Sequence, residues 1–249
     1  MVSMKAAVIG AQGRMGIAMA AGIEATEGIE LVAQLDAGDE ITTETLGGAD
    51  VAIEFTRPDS TLDNVLALID AGVHCVVGTT GWTDEALAQV EAKLADNPGI
   101  GVIIAPNYAL SAVLAMAFAA KAAVYFESAE VIELHHPNKV DAPSGTALTT
   151  AKLIAESRRD AGMGAMPDAT ETDPEGARGA DIDGVRVHAV RLQGLTAHEE
   201  IVFGNPGEQF TIRTDSFDRE SFFPGVLLAV REVPGRPGLT YGLDKLMDI

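Results

Sequence analysis

Between residues 5 and 105, five short apolar runs alternate with stretches of helical spacing, and this alternation limits the possible folds more than any other feature of the chain. The runs span residues 5–9, 31–35, 51–55, 74–77 and 100–105. Between them, residues 17–25, 59–71 and 83–95 carry apolar side chains three and four apart. A strand buried on both faces reads as an unbroken apolar run, and a helix between two such strands returns the chain to the same end of the sheet. The pattern therefore predicts an α/β fold with a Rossmann-like, doubly wound parallel sheet. Ligands of such sheets sit outside the carboxyl ends of the strands. Those ends read Phe55 and Thr56; Gly78, Thr79, Thr80 and Gly81; and Ala105, Pro106, Asn107 and Tyr108. The Gly-Thr-Thr-Gly turn offers backbone and hydroxyl contacts suited to a nicotinamide ribose.

The first run leads into GAQGRMG, with Gly10, Gly13 and Gly16 three apart. Glycines at such a turn let the chain reverse tightly, let the backbone approach a pyrophosphate and let the helix lie close on the strand, with its N-terminus toward the phosphates. The spacing is G-x-x-G-x-x-G instead of the commoner G-x-G-x-x-G, so the strand before it and the helix after it carry much of the signal. Asp36 ends the second run twenty residues beyond Gly16, where an acid can accept from an adenosine ribose; the alternative is an ordinary strand-end turn residue in Asp-Ala-Gly-Asp.

After Asn107 the pattern changes. Residues 110–126 read as a long apolar helix, 130–134 as a strand and 146–159 as a helix, followed by strands at 185–192, 196–203 and 209–214 with no helices between them. This predicts a second, α+β domain with a mostly antiparallel or mixed sheet. Residues 160–184 lack periodicity and are expected to form a mobile loop or an interface arm. Residues 219–231 read as one further helix, and 239–249 show no period.

The densest chemistry lies in ELHHPNKVDAPSGTA, residues 133–147. Two imidazoles, His135 and His136, precede Lys139, and Ser144-Gly145-Thr146 opens a helix whose free N–H groups suit a carboxylate or phosphate. Pro137 and Pro143 keep the backbone between them irregular. The 249-residue chain carries a formal charge of −20, which argues against nucleic-acid and anionic-membrane partners, so an anion must be held by a local cationic cluster such as this one. Its one cysteine, Cys75, lies in the apolar run VHCVV and reads as core. No apolar stretch approaches the ~20 residues of a membrane span, and the N-terminus leads directly into a strand; a cytoplasmic protein is expected.

GAQGRMG, GTTG, APNYALS and above all the His-His-x-x-Lys-x-Asp-x-Pro-Ser-Gly-Thr run resemble dihydrodipicolinate reductase, over nearly the whole chain. The resemblance implies reduction of 4-hydroxy-tetrahydrodipicolinate to tetrahydrodipicolinate with NADH or NADPH and release of water, in lysine and diaminopimelate biosynthesis, by a homotetramer. It implies a dinucleotide-binding domain of residues 1–109 and 219–249, to which the last helix returns, and a substrate-binding and oligomerisation domain of residues 110–218. By the same resemblance His135 and Lys139 are catalytic, and His136, Lys139, Gly145 and Thr146 bind the dicarboxylate substrate. Cofactor contacts fall on Gly10, Ala11, Gln12, Gly13, Arg14, Met15, Asp36, Phe55, Gly78, Thr79, Thr80, Ala105, Pro106, Asn107 and Tyr108, and no metal is implied. Three rival readings are another small-molecule dehydrogenase of this architecture, a metal-dependent hydrolase using His135, His136, His188 and His198, and a non-catalytic NAD-binding sensor.

Overall fold

The computed structural model describes residues 3–247 and 249. In chain order the elements are β1 (Met4–Ile9), α1 (Arg14–Glu24), β2 (Ile29–Leu35), β3 (Val51–Glu54), α2 (Thr61–Asp70), β4 (His74–Val77), α3 (Asp84–Ala95), β5 (Gly101–Ile104), α4 (Leu110–Ala122), β6 (Ser128–His135), α5 (Gly145–Asp160), β7 (Ala180–Ile182), β8 (Val185–Arg191), β9 (Ala197–Asn205), β10 (Glu208–Ser216), α6 (Phe223–Glu232) and β11 (Gly238–Tyr241). They group into two compact units. The first comprises the chain up to Ala109 and again from Arg219; the second is Leu110–Asp218.

The first unit is built on a six-stranded sheet ordered β2-β1-β3-β4-β5-β11, with every neighbouring pair parallel. Side chains alternate between its two faces. Ala7, Ile9, Ala52, Cys75, Val77, Val102 and Ile104 pack with Val65 and Leu68 of α2 and Val90 and Leu94 of α3. Their equally buried neighbours Ala6, Val8, Ile53, Val76 and Ile103 face the other way, where α1 and α6 lie. Each fully buried Val or Ile contributes about 1.5–3 kcal/mol, which is why the short apolar runs suffice to fix the sheet. The strand order reverses between β1 and β3, so the crevice at their carboxyl ends is where this architecture takes a ligand.

Two readings of the chain's end are corrected. Residues 239–249 showed no period, yet β11 is the sixth strand, an edge strand of four residues paired with β5. Such a segment is too short to display a period. A Cβ at Gly101 would lie 2.5 Å from both Val233 O and Arg236 O, so the glycine lets the returning chain close onto β5. The single helix expected over 219–231 is a 3₁₀ turn, Arg219–Phe222, followed by α6. Pro224 stands in the first turn of α6, where its missing N–H costs no helical bond.

The second unit has a mixed five-stranded sheet ordered β10-β9-β6-β8-β7, antiparallel except for β6 with β8. One face is covered by α4 and α5, whose Ala115, Ala119, Ala147, Ala151 and Ile154 meet Val131, Val187, Ile201 and Phe203. The other face, bearing Ile132, Leu134, Val190 and Val202, carries no helix of this unit among the described residues. The helix expected over 110–126 stops at Ala122, because the buried Arg158 guanidinium donates to the carbonyls of Ala123, Phe126 and Glu127 at 3.1, 2.6 and 3.1 Å and bends the chain away. Within the aperiodic 160–184 segment lies the three-residue strand β7, which sequence reading missed. Among the described residues no helix is long and apolar enough to cross a membrane.

Candidate active site

At the carboxyl ends of β1 and β3 the glycine turn is fixed largely by its own backbone. Gly10 N and Ala11 N both donate to Leu35 O, at 2.8 and 3.0 Å, and Gly13 N donates to Gly10 O at 3.0 Å. Gly10 has φ +83°, and a Cβ there would stand 2.3 Å from Phe55 O; a Cβ at Gly16 would stand 2.0 Å from Gly10 O. Gly13 is the α1 N-cap, and Ile17 N is the amide that closes on Gly13 O at 2.9 Å. The N–H groups of Arg14, Met15 and Gly16 are therefore those that helix geometry leaves open, with no acidic side chain in the first turn to compete. This cradle, which side chains would fill, fits a dinucleotide pyrophosphate.

Asp36 does more than the sequence suggested. Its Oδ2 accepts from Gln12 N at 2.6 Å and its Oδ1 from Ala37 N at 2.8 Å, and these bonds, that from Ala37 first, hold the carboxyl below its usual range. It thus clamps the turn while rimming a cavity of about 470 Å³ that Gly38, Asp39, Phe55, Arg57 and Asn64 also line. The cation on that cavity is Arg57. Arg14 instead lines an adjoining cavity of about 300 Å³, which shares Gly13, Phe55 and Thr56 with the first, together with Met15, Gly78, Thr79 and Thr80.

Three expected cofactor contacts, Thr79, Ala105 and Tyr108, are largely buried, of which Thr79 still lines the smaller cavity. Thr79 is buried, and its hydroxyl accepts from Thr56 N at 2.8 Å, tying the ends of β3 and β4 together. Tyr108 is also buried, its hydroxyl 3.0 Å from Val77 O and 3.3 Å from Ile103 O, so its side chain is core. Ala105 is buried with its N–H on Val77 O at 3.1 Å. Pro106 and Thr80 stay exposed, and Asn107 is half-buried. A Cβ at Gly78 would fall 2.0 Å from the Phe55 ring, which lies over this glycine. Sequence reading missed Glu54, fully buried at the end of β3; its carboxylate accepts from Thr61 Oγ1 at 2.8 Å, Asn64 Nδ2 at 3.3 Å and Thr56 Oγ1, holding the strand end at the crevice.

In the second unit the 133–147 run leaves β6 at His135 and enters α5 at Gly145, so strand and helix both anchor the loop. His135 Nδ1 donates to Glu133 Oε2 at 2.6 Å, which leaves Nε2 as the outward-facing nitrogen. Arg191 grips the same carboxylate with two nitrogens at 2.7 and 2.8 Å, and Ser144 N adds a fourth bond at 3.1 Å. Burial alone would raise Glu133, but its bonds to Arg191 and His135 outweigh that and keep it an anion. His135 is held below its usual range, chiefly by burial, with Lys139 and Arg191 adding to the effect against the pull of Glu133. Lys139 Nζ pairs with Asp141 at 2.9 Å, and Arg191 also donates to Asp141 O at 2.7 Å, which ties the loop to β8.

Ser144 caps α5, accepting from Ala147 N at 3.2 Å, and no acidic residue lies in the helix's first turn. His136 and Gly145 are exposed and Thr146 half-buried, so the dipole end of a 16-residue helix opens beside two imidazoles and an ammonium. Neither Glu133 nor Arg191 had been assigned a role. Arg191 meets His135 only through the parallel register of β6 with β8, a pairing 56 residues apart in sequence. Conversely, His188 and His198 pair in register with Ile132 and Leu134, on the opposite face of the sheet from Glu133 and His135, and bond Glu130 and Asp215, each at 2.7 Å. The four histidines therefore cannot gather on one ion. Among the described residues no group of three His, Cys, Asp or Glu side chains could hold a metal.

Comparison with known proteins covers both units. The family model described as "Dihydrodipicolinate reductase, N-terminus" matches residues 4–108, and "Dihydrodipicolinate reductase, C-terminus" matches residues 111–247. A protein of Beutenbergia cavernae named 4-hydroxy-tetrahydrodipicolinate reductase is 61% identical over 248 residues, covering 100% of each chain. One of the same name from Nocardia farcinica is 56% identical over 248 residues, with the same coverage. The structure of a dipicolinate-bound dihydrodipicolinate reductase from Paenisporosarcina sp. TG-14 matches at TM-score 0.88 and 38% identity, covering 98% of this chain and 100% of that one.

Proposed function

Because the chain belongs to the dihydrodipicolinate reductase family, we propose that it reduces 4-hydroxy-tetrahydrodipicolinate to tetrahydrodipicolinate with release of water, a step of lysine and diaminopimelate biosynthesis. NADH or NADPH supplies the hydride. The first unit holds that cofactor: the open amides of Arg14, Met15 and Gly16 take the pyrophosphate, and Asp36 accepts from the adenosine ribose while keeping the turn in place.

The second unit holds the substrate, and the Arg191–Glu133–His135 chain beside Lys139 is the observation that carries this assignment. In a chain of net charge −20, a dianion has few places to bind, and this loop gathers cations next to a free helix N-terminus. Thr146 and the Gly145 amide take one substrate carboxylate, and His136 and Lys139 the other. Hydride arriving on a conjugated imine leaves electron density that a proton must quench. Glu133 fixes the tautomer of His135 so that Nε2 faces the substrate, and the Lys139 ammonium supplies or replaces the proton. The dipicolinate carried by the Paenisporosarcina relative is a planar dicarboxylate of the size this loop would take.

The uncovered sheet face with Ile132, Leu134, Val190 and Val202 supports a homotetramer assembled through this unit, and the buried, lone Cys75 accords with a cytoplasmic protein. The decisive experiment is kinetic. His135→Gln and Lys139→Ala should each lower kcat by ~10²–10⁴ fold with NADH affinity nearly unchanged, and the double variant should lose less than the product of the two. Either single variant retaining wild-type kcat would remove the assignment.

A further inference from the structure

We infer that Glu199 is a positioning residue of this reductase that works as an uncharged carboxylic acid: set opposite Glu133 and bonded to Thr150 in the second turn of α5, it steadies strand and helix while protonated and loosens the hold on a dianion when it ionises. This rests on the reading of His135 and α5 given above.

Glu199 stands directly opposite Glu133 in the antiparallel register of β9 and β6, on the helix-covered face, and the two are 6% and 0% exposed. Residues so paired have Cβ atoms about 4.5–5.5 Å apart, and two buried carboxylates at that spacing ionise together only if donors compensate both. The donors are all on one side. Glu133 receives Arg191, His135 and Ser144 N, whereas Glu199 has only Thr150 Oγ1, at 2.7 Å from Oε1. Among the described residues, Glu199 Oε2 is the buried side-chain oxygen left without a partner.

Thr150 has a single hydroxyl proton, yet its oxygen lies 2.7 Å from Glu199 Oε1 and 3.0 Å from Thr146 O. Both contacts are hydrogen bonds at once only if Glu199 carries a proton and donates it to Thr150 Oγ1, which donates in turn to Thr146 O. That proton ties β9 to the helical turn bearing Ser144, Gly145 and Thr146. An ionised Glu199 would take the Thr150 proton for itself, release Thr146 O and set a second negative charge beside Glu133.

The charged groups around it do not offset that charge. From β6 come Glu133 and, beyond it, His135; from β8 comes Arg191, already engaged by Glu133. β10 presents Thr214 in register, and α5 presents Thr150, its charged residues beginning at Lys152. α4 carries only Lys121, exposed near its end. Burial first, with the field of Glu133 and against the bond from Thr150, pushes Glu199 up to about 7. His135 is held below its usual range, chiefly by burial.

The test uses the full chain with NADH bound and pyridine-2,6-dicarboxylate as probe, by calorimetry between about pH 6 and 8.5. Wild type should lose about threefold to tenfold in affinity as Glu199 ionises. Glu199→Gln, which keeps shape and neutrality, should stay near the acid plateau and lack the partial proton uptake that accompanies binding to wild type near pH 7. In parallel, carboxyl ¹³C NMR of the protein without ligand should show one glutamate titrating near 7, absent from Glu199→Gln. A Glu199 carboxyl titrating below about 5, or a Glu199→Gln affinity profile superimposed on that of wild type, overturns the inference. Should the probe fail to bind wild type, or bind His135→Gln and Lys139→Ala variants as tightly, the substrate-site reading falls instead, and the carboxyl titration still decides the state of Glu199.

Discussion

At the glycine turn the amides of Gly10, Ala11 and Gln12 are engaged by Leu35 O and by one carboxylate, and the positions of Gly10 and Gly16 are dictated by backbone atoms 2.3 and 2.0 Å from where a Cβ would stand. At the His135 loop the fixed points are side chains: Glu133 at the centre, with Arg191, His135 and Ser144 around it. The first region is preorganised by the absence of side chains and the second by charged ones. They should therefore fail in different ways. Adding one methyl group damages the turn and leaves the loop intact, whereas removing one charge collapses the loop and leaves the turn intact.

The largest effect is expected at Glu133. Glu133→Ala leaves Arg191 and His135 without their shared anion, and breaking a buried ion pair by deleting one partner typically costs about 3–5 kcal/mol. Arg191 keeps Val190 O and Asp141 O, so the lower end of that range is expected. Denaturant unfolding at pH 7 measures this loss. The sign with pH follows from the depressed folded carboxyl: the contribution is present above the unfolded value of 4.5 and is lost as pH falls through the folded one. The gap between wild type and variant should therefore close in acid. A variant as stable as wild type at pH 7 would show that the carboxylate is not what holds the loop.

Next in size is Gly16→Ala. Its Cβ meets backbone, which cannot swing aside, so an overpacking cost of about 1–3 kcal/mol is expected, with weaker NADH binding as the amides of residues 14–16 shift. Gly13→Ala should be far milder, because Gly13 has φ −71° and its nearest clash is 3.1 Å. The His135 NMR titration in the other unit should be unchanged in both variants. Equal losses for the two alanines would refute the ranking.

The three glycines look equivalent in the sequence, and only the distances separate them. The parallel sheet was legible because each strand is buried on both faces and so carries an unbroken apolar signature. β7 and β11 were not, being three- and four-residue segments whose strand state comes from a neighbour. The proton-moving groups of the loop were legible because they are contiguous. Arg191 and Glu199 were hidden: each reaches the site through strand register, with His135 and Glu133 respectively. The Tyr108 side chain is the converse case, since it occupies a strand-end position while its hydroxyl meets the buried carbonyls of Val77 and Ile103.

The smallest effect concerns cofactor choice and sharpens the comparison within the first unit, where side chains act only at the margin of a backbone-built site. Asp36, at the rim of the larger cavity, favours the ribose hydroxyls of NADH and opposes a 2′-phosphate. Arg14, the cation of the glycine turn, lines the adjoining smaller cavity, whereas Arg57 shares the one that Asp36 rims. Arg57 is exposed and paired with Asp59 at 3.0 Å, so a phosphate would compete with that carboxylate in high dielectric and gain little. Most of the binding comes from the pyrophosphate cradle common to both cofactors. NADH should therefore be favoured by less than about tenfold. Arg57→Ala should weaken NADPH more than NADH, Arg14→Ala should weaken both alike, and added salt should widen the NADH preference by screening the Arg57 contact. Dissociation constants of both cofactors for the three proteins at low and high salt decide it. A preference that follows Arg14 and ignores Arg57 would assign the 2′-phosphate to the smaller cavity and reverse the orientation of the dinucleotide along the turn.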